Sequence, residues 1–246
     1  MLKIKNISVL FVFLLNPLIA AELQLESGIK RNTLIELFTS EGCSSCPPAE
    51  KYLNSLKYNK ELWKNWIPVA FHVDYWDYIG WKDRYAKKEF GLRQSRYAKL
   101  QHASTVYTPA FMINGSSWRK GLFSNTLPED DSHAGNLIVS LSGNKIHASF
   151  KSVKENKNPL ILNIAILGMG LTTHIERGEN KGRIAKHEFV VVGFGAMESV
   201  TSTWNMTLPE LHYSGAKKYA LAVWVSDINK PTPLQAVGGL MKDNTL

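Results

Sequence analysis

Cysteine is nearly missing from this chain: 246 residues contain two, Cys43 and Cys46. They stand at C-x-x-C spacing and close a loop of four residues. In the chain-entropy account such a bridge contributes only about 2 kcal/mol, against about 4.7 kcal/mol for a loop of a hundred residues. That counts against a structural staple. Two cysteines alone also cannot close a tetrahedral metal site. The histidines do not complete one by spacing, because no H-x-H or H-x-x-x-H pair occurs, and no metal or cofactor motif is visible beyond the dithiol. Dense Lys/Arg runs are absent as well. The net charge of +8 is dispersed, which speaks against a nucleic-acid partner. No apolar run, the N-terminal one included, is long enough to cross a bilayer.

The N-terminus itself reads as a secretory leader over residues 1–21. Lys3 and Lys5 form its basic start, Val9 to Leu15 its apolar centre, and Pro17 breaks that centre before Ala20 and Ala21. Cleavage after Ala20 or Ala21 delivers the chain to the periplasm or medium, with no stable membrane insertion afterwards. Thiols tend to oxidise there, so a lone cysteine pair rests as a disulfide unless something reduces it.

Leu34 to Phe38 is an apolar run that reads as a strand feeding Ser40-Glu41-Gly42, the C-x-x-C, and then Pro47-Pro48. Proline is tolerated in the first turn of a helix, where the N–H groups lack partners anyway. Strand, turn, C-x-x-C and helix follow in order. The positive end of the helix dipole then favours a thiolate at Cys43. Dithiol/disulfide chemistry is the reading preferred; metal or ligand capture and a structural bridge stay open. Val69–Val73 is a second buried strand, ending in the aromatic loop Asp74–Asp83. Arg84–Gln101 reads as a helix. Phe111–Ile113 is a strand, and Asn114-Gly115 is a hairpin signal.

The order β-α-β-α-β-β, with Thr108-Pro109 opening the third strand, resembles the thioredoxin plan. More closely, Glu36–Glu50, His72–Asp83, Arg93-Gln94, Tyr107–Pro109 and Gly178–Gly182 resemble an uncharacterised secreted thioredoxin-like family, catalogued as a domain of unknown function. The resemblance covers nearly the whole chain after the leader. It implies an α/β thioredoxin-like domain over residues 22–125 and a thiol–disulfide oxidoreductase acting on protein thiols or disulfides with an unidentified redox partner. Cys43 attacks and Cys46 resolves. A cis Pro109, with Thr108, Tyr107 and Trp76, holds the partner. A dithiol that captures Cu(I), or a protein-interaction module without turnover, is the alternative.

Two departures stand out. Glu41 occupies a position where a neutral glutamine is expected. In an exposed turn, a carboxylate aimed at the sulfur opposes the thiolate; the alternative is that it points to solvent or pairs with a lysine. Asp74 either relays protons to Cys46 or caps its loop. No helix follows Lys120, where the thioredoxin plan has its last one. After a polar linker at 126–136, about seven short β-rich runs over 137–246 predict an antiparallel β-sandwich-like domain, α+β overall. They are interrupted by the long loop Gly170–Arg183, which has the length of a functional or mobile segment.

Overall fold

The computed structural model describes residues 23–101, 105–119, 127–128 and 130–242. The expected leader, and part of the expected linker, lie outside the described residues.

Among the described residues there are fourteen strands and two α-helices. In chain order they are β1 (Leu23–Glu26), β2 (Thr33–Thr39), α1 (Pro47–Ser55), β3 (Trp66–His72), α2 (Lys88–Leu100), β4 (Ala110–Ile113) and β5 (Ser116–Trp118). Then come β6 (Gly135–Ser142), β7 (Lys145–Ser152), β8 (Leu160–Met169), β9 (Leu171–His174), β10 (Ile184–His187) and β11 (Val190–Ser199). β12 (Thr203–Thr207), β13 (Lys218–Asp227) and β14 (Pro233–Leu240) complete the set.

One eight-stranded sheet dominates, in the order β14-β13-β8-β11-β3-β2-β4-β5. β2 is buried at every position, as a strand covered on both faces must be. β2 and β3 run parallel from Thr33 beside Trp66 to Thr39 beside His72. A four-stranded sheet, β1-β6-β7-β12, forms a second layer. β6 and β7 alternate between buried and more exposed positions, so Leu137, Val139, Leu141, Ile146, Ala148 and Phe150 face inward. The layers come close at Gly239 of β14, where a Cβ would meet the Leu25 side chain at 2.7 Å. β9 and β10 form a separate two-stranded ribbon.

This architecture overturns the expected pairing of an α/β thioredoxin-like half with a separate sandwich. The molecule is mostly β, and its two helices are a minor component. The physical reason lies at the outer edge of β3. That edge is filled by β11 from the second half of the chain. Val190 aligns parallel with Ala70, and the Ala70 N–H donates to the Phe189 carbonyl at 2.8 Å. The β-rich stretch that begins at Ile184 is split at Phe189, which takes a φ of 61°. Its first part joins the ribbon as β10 and its second enters the large sheet as β11.

α2 begins four residues later than the expected Arg84 and lies over β2 through a buried polar contact. The Arg93 Nε donates to Glu36 Oε1 at 2.7 Å, and the Tyr97 hydroxyl donates to Glu36 Oε2 at 2.6 Å. The Arg93 guanidinium also sits 5.0 Å from the Trp224 ring. Phe38, Phe71 and Phe90 pack beside it, with ring centroids 5.5 and 5.1 Å apart along the series.

Candidate functional site

The site grows from the turn between β2 and α1. The Cys43 N–H donates to the Ser40 carbonyl at 3.1 Å, and the Cys46 N–H to the Cys43 carbonyl at 3.2 Å. Cys46 already has helical dihedrals, and Pro47 and Pro48 occupy the first helical positions. Cys43 and Cys46 are joined by a disulfide with Cα atoms 5.4 Å apart. Both residues are buried, at 1% and 0% exposure, so neither stands out as the accessible member. Ser44 and Ser45 between them are exposed.

The Thr108–Pro109 peptide bond is cis. Thr108 is buried, and its Oγ1 accepts a hydrogen bond from Trp76 Nε1 at 2.6 Å. Trp76 also packs against the Cys turn: a Cβ on Gly42 would lie 3.2 Å from the Trp76 Cβ. Tyr107 is 41% exposed, its carbonyl held by Gln94 Nε2 at 2.6 Å. Thr108 and Trp76 thus meet each other, while Tyr107 is turned toward the surface. In the aromatic loop, Tyr75 donates to Gln94 Oε1 at 3.0 Å, Trp81 points inward, and Tyr78 is left 81% exposed. Asp74 is half-buried at the loop's start. Its carbonyl accepts from the Asp77 N–H, and its carboxylate lies toward Gly91 of α2.

Glu41 does not lie in an exposed turn. It is buried, and its carboxylate points neither to solvent nor to a lysine. Oε2 accepts from Trp81 Nε1 at 2.7 Å. Oε1 lies 3.1 Å from His187 Nε2. The other ring nitrogen of His187, Nδ1, lies 3.1 Å from Glu50 Oε2, and Glu50 Oε1 accepts from the Thr39 hydroxyl at 2.6 Å. Beside it the edge of His72 meets the His187 ring, centroids 5.2 Å apart. His72 Nδ1 is 2.7 Å from Asp83 Oδ2, and Asp83 also takes the Glu41 N–H at 2.8 Å and the Tyr85 N–H at 3.0 Å.

Three carboxylates and two imidazoles therefore share one buried region under the disulfide turn. Burial alone would depress His187. The negative charge of Glu50 and the hydrogen bonds that His187 donates to Glu41 and Glu50 overcome it and hold the imidazole up at about 10. His72 is likewise raised: burial opposes its charge, and Asp83 outweighs burial. Glu50 is lowered against its own burial by His187, and Asp83 by His72.

The long loop Gly170–Arg183 closes over this region. The Asn180 side-chain amide donates to the carbonyls of Glu41 and Cys43, at 2.8 and 2.9 Å. Gly178 has a φ of +71°, and a Cβ there would crowd the Trp81 Cβ at 3.1 Å. The approach requires glycine on both counts. A cleft of about 910 Å³ runs past Pro47, Glu50, Asn54, Asn180 and His187 to Lys217.

The sequence shows His187 only as one of several unspaced histidines, and His72 and Glu50 only as parts of motifs. His187 lies 137 residues from Glu50 in the chain, so no local spacing could connect them. The available signal is the type of residue, an acid within a C-x-x-C-P-P-x-E motif, and not its partner.

No curated protein matches the chain. An Agrobacterium tumefaciens protein known from its X-ray crystal structure is similar at 20% identity, with 87% of this chain and 95% of that one covered and a TM-score of 0.57. HBP35 of Porphyromonas gingivalis is similar at 12% identity, covering 88% of this chain and 77% of that one, with a TM-score of 0.55. At these identities the likeness concerns the fold alone. The thioredoxin and oxidoreductase labels implied by the sequence resemblance are not supported, because the fold is β-rich and the function of the matching family is unknown. Residues 34–226 match the family of proteins of unknown function DUF1223, and the chain belongs to that family.

Proposed function

We propose that Cys43–Cys46 is a thiol–disulfide exchange centre in a protein exported from the cytosol, with protein thiols or disulfides as its partners. The observation that carries this reading is the placement of the chain's only two cysteines. They form a bridge of little value as a staple, at the first turn of α1, with the exposed Ser44-Ser45 pair between them. In the oxidising direction, a partner thiolate attacks one sulfur and the other leaves as a thiolate beside the positive end of the α1 dipole. A second partner thiolate then attacks the mixed disulfide. The partner dithiol becomes a disulfide, and Cys43–Cys46 gains the two electrons. The reverse sequence begins with Cys43 as the attacking thiolate. Because both cysteines are buried, exchange requires the Ser44-Ser45 segment to shift and expose the bond.

The test is equilibration of the native protein in glutathione buffers of stepped potential, followed by acid quenching and thiol counting. A reversible two-electron transition under native conditions is the expected result. A Cys46→Ala variant should accumulate mixed disulfides through Cys43. A bond that resists reduction until the chain is unfolded by urea would show a structural bridge instead.

A further inference from the structure

Glu50, His72 and His187 each offer one ligand atom, and these atoms all lie within 4.8 Å of one another. We propose that they form a binding site for a divalent transition-metal ion of the zinc class, independent of the two cysteines.

The nitrogen chemistry assigns the atoms. His72 Nδ1 is engaged with Asp83. Its Nε2 is buried and, among the described residues, has no hydrogen-bond partner. With the proton on Nδ1, donated to Asp83, Nε2 carries an in-plane lone pair and nothing to receive it. A buried polar atom left so is costly, and a cation supplies the missing partner. His187 has a carboxylate on each nitrogen, Glu41 on Nε2 and Glu50 on Nδ1. The pair at Nδ1 and Glu50 Oε2 lies 3.1 Å apart. That is close to the about 3.3 Å that separates two donors on a tetrahedral zinc at ordinary bond lengths. A metal between them replaces the shared proton. His72 completes the set by a small inward movement.

The surroundings match what metal-bound histidines need. Each imidazole has a carboxylate on its far nitrogen, Asp83 behind His72 and Glu41 behind His187. Such partners fix the tautomer and raise the basicity of the ligand. Glu50 is oriented in turn by the Thr39 hydroxyl. Glu50 and His187 line the 910 Å³ cleft, which gives the ion a way in. Two histidines and one carboxylate leave a fourth position for water or a ligand, the arrangement of reactive rather than purely structural zinc sites. The donor set of imidazole and carboxylate suits this class of ion, while soft Cu(I) prefers thiolates.

The test uses the full oxidised protein stripped with chelator and titrated with Zn²⁺ and with Co²⁺ as a spectroscopic probe. One ion per chain should bind. X-ray absorption at the zinc edge should show nitrogen and oxygen neighbours near 2.0–2.1 Å, two of them imidazole. A Cys43→Ser/Cys46→Ser variant should retain the ion, which separates this proposal from any failure of disulfide exchange. Asp83→Asn should weaken binding 10- to 100-fold, and His72→Gln should weaken it more. A sulfur shell at about 2.3 Å, loss of the ion with the cysteines, or no stoichiometric binding by the wild-type protein would overturn it. The wild-type spectroscopy holds even if a His72 variant does not fold.

Discussion

Asn180 is the residue through which the second half of the chain acts on the disulfide turn. Its amide holds two backbone carbonyls, those of Glu41 and Cys43, the second of which also accepts the Cys46 N–H. The loop that carries it is fixed by its own turns: Lys181 N–H to the Gly178 carbonyl, Gly182 N–H to the Ile175 carbonyl and Arg183 N–H to the Asn180 carbonyl. Replacing Asn180 by alanine leaves the Glu41 carbonyl without a donor and the Cys43 carbonyl with the Cys46 N–H alone, which costs about 1–3 kcal/mol. We expect Asn180→Ala to lower the urea midpoint accordingly. It should also speed reduction of Cys43–Cys46 by dithiothreitol several-fold, because the Cys43 carbonyl is no longer clamped. Asn180→Asp should be worse than alanine in the stability measurement, since it sets a carboxylate against two carbonyl oxygens. A reduction rate in Asn180→Ala equal to wild type would show that the loop does not control access to the bond. The sequence marks this loop by its length and polarity but cannot identify Asn180, since its partners are main-chain atoms 137 and 139 residues away.

At the scale of elements, α2 is held on the large sheet by a charge pair that burial makes sensitive. Arg93 and Glu36 are both almost fully buried. Removing one member of such a pair leaves an uncompensated charge and costs about 3–5 kcal/mol, whereas replacing both by apolar side chains is often neutral or stabilising. Arg93→Met should therefore destabilise the protein strongly in chemical denaturation. The double variant Arg93→Met/Glu36→Leu should recover much of the loss, because the Tyr97 hydroxyl retains the Pro231 carbonyl as an acceptor at 2.9 Å. If the double variant is less stable than Arg93→Met alone, the pair is not the element's main electrostatic liability. Elements of this kind were largely legible. The Leu34–Phe38 run, the Pro47-Pro48 start of α1, the Val69–Val73 run and the Asn114-Gly115 hairpin sit where local rules place them. Most of the later β-rich runs are strands as well. Pairing was not legible: period and apolarity say that β3 and β11 are buried strands, and nothing in either says that they are neighbours. The same gap hid the candidate site. The C-x-x-C and Glu41 stood out, but the proximity of Glu50, His72 and His187 depends on where the β9–β10 ribbon comes to rest.

For the whole molecule, the consequence is that the two halves of the chain share one sheet and one core. β2 to β5 continue the sheet built by β8, β11, β13 and β14. Among the described residues one hydrophobic cluster runs from Leu34 in β2 through Val190 and Trp224 to Met241. Polar contacts cross in the same sense. The Asn32 N–H donates to Gln235 Oε1 at 2.9 Å, Asn32 Nδ2 to the Ala236 carbonyl at 2.8 Å, and Gln235 Nε2 to the Lys30 carbonyl at 3.0 Å. Neither half can open without stripping the other of sheet partners and buried apolar area, which contributes roughly 25 cal/mol per Å². Thermal unfolding should therefore be one transition, with calorimetric and van't Hoff enthalpies equal. A fragment spanning residues 127–246 should fail to unfold cooperatively, since it exposes the β11 edge that β3 covers and the core face beneath it. Two resolved transitions in the intact protein, or a fragment with a sharp melt of its own, would show that the junction at Val190 and Ala70 is a contact between independent units rather than the interior of one.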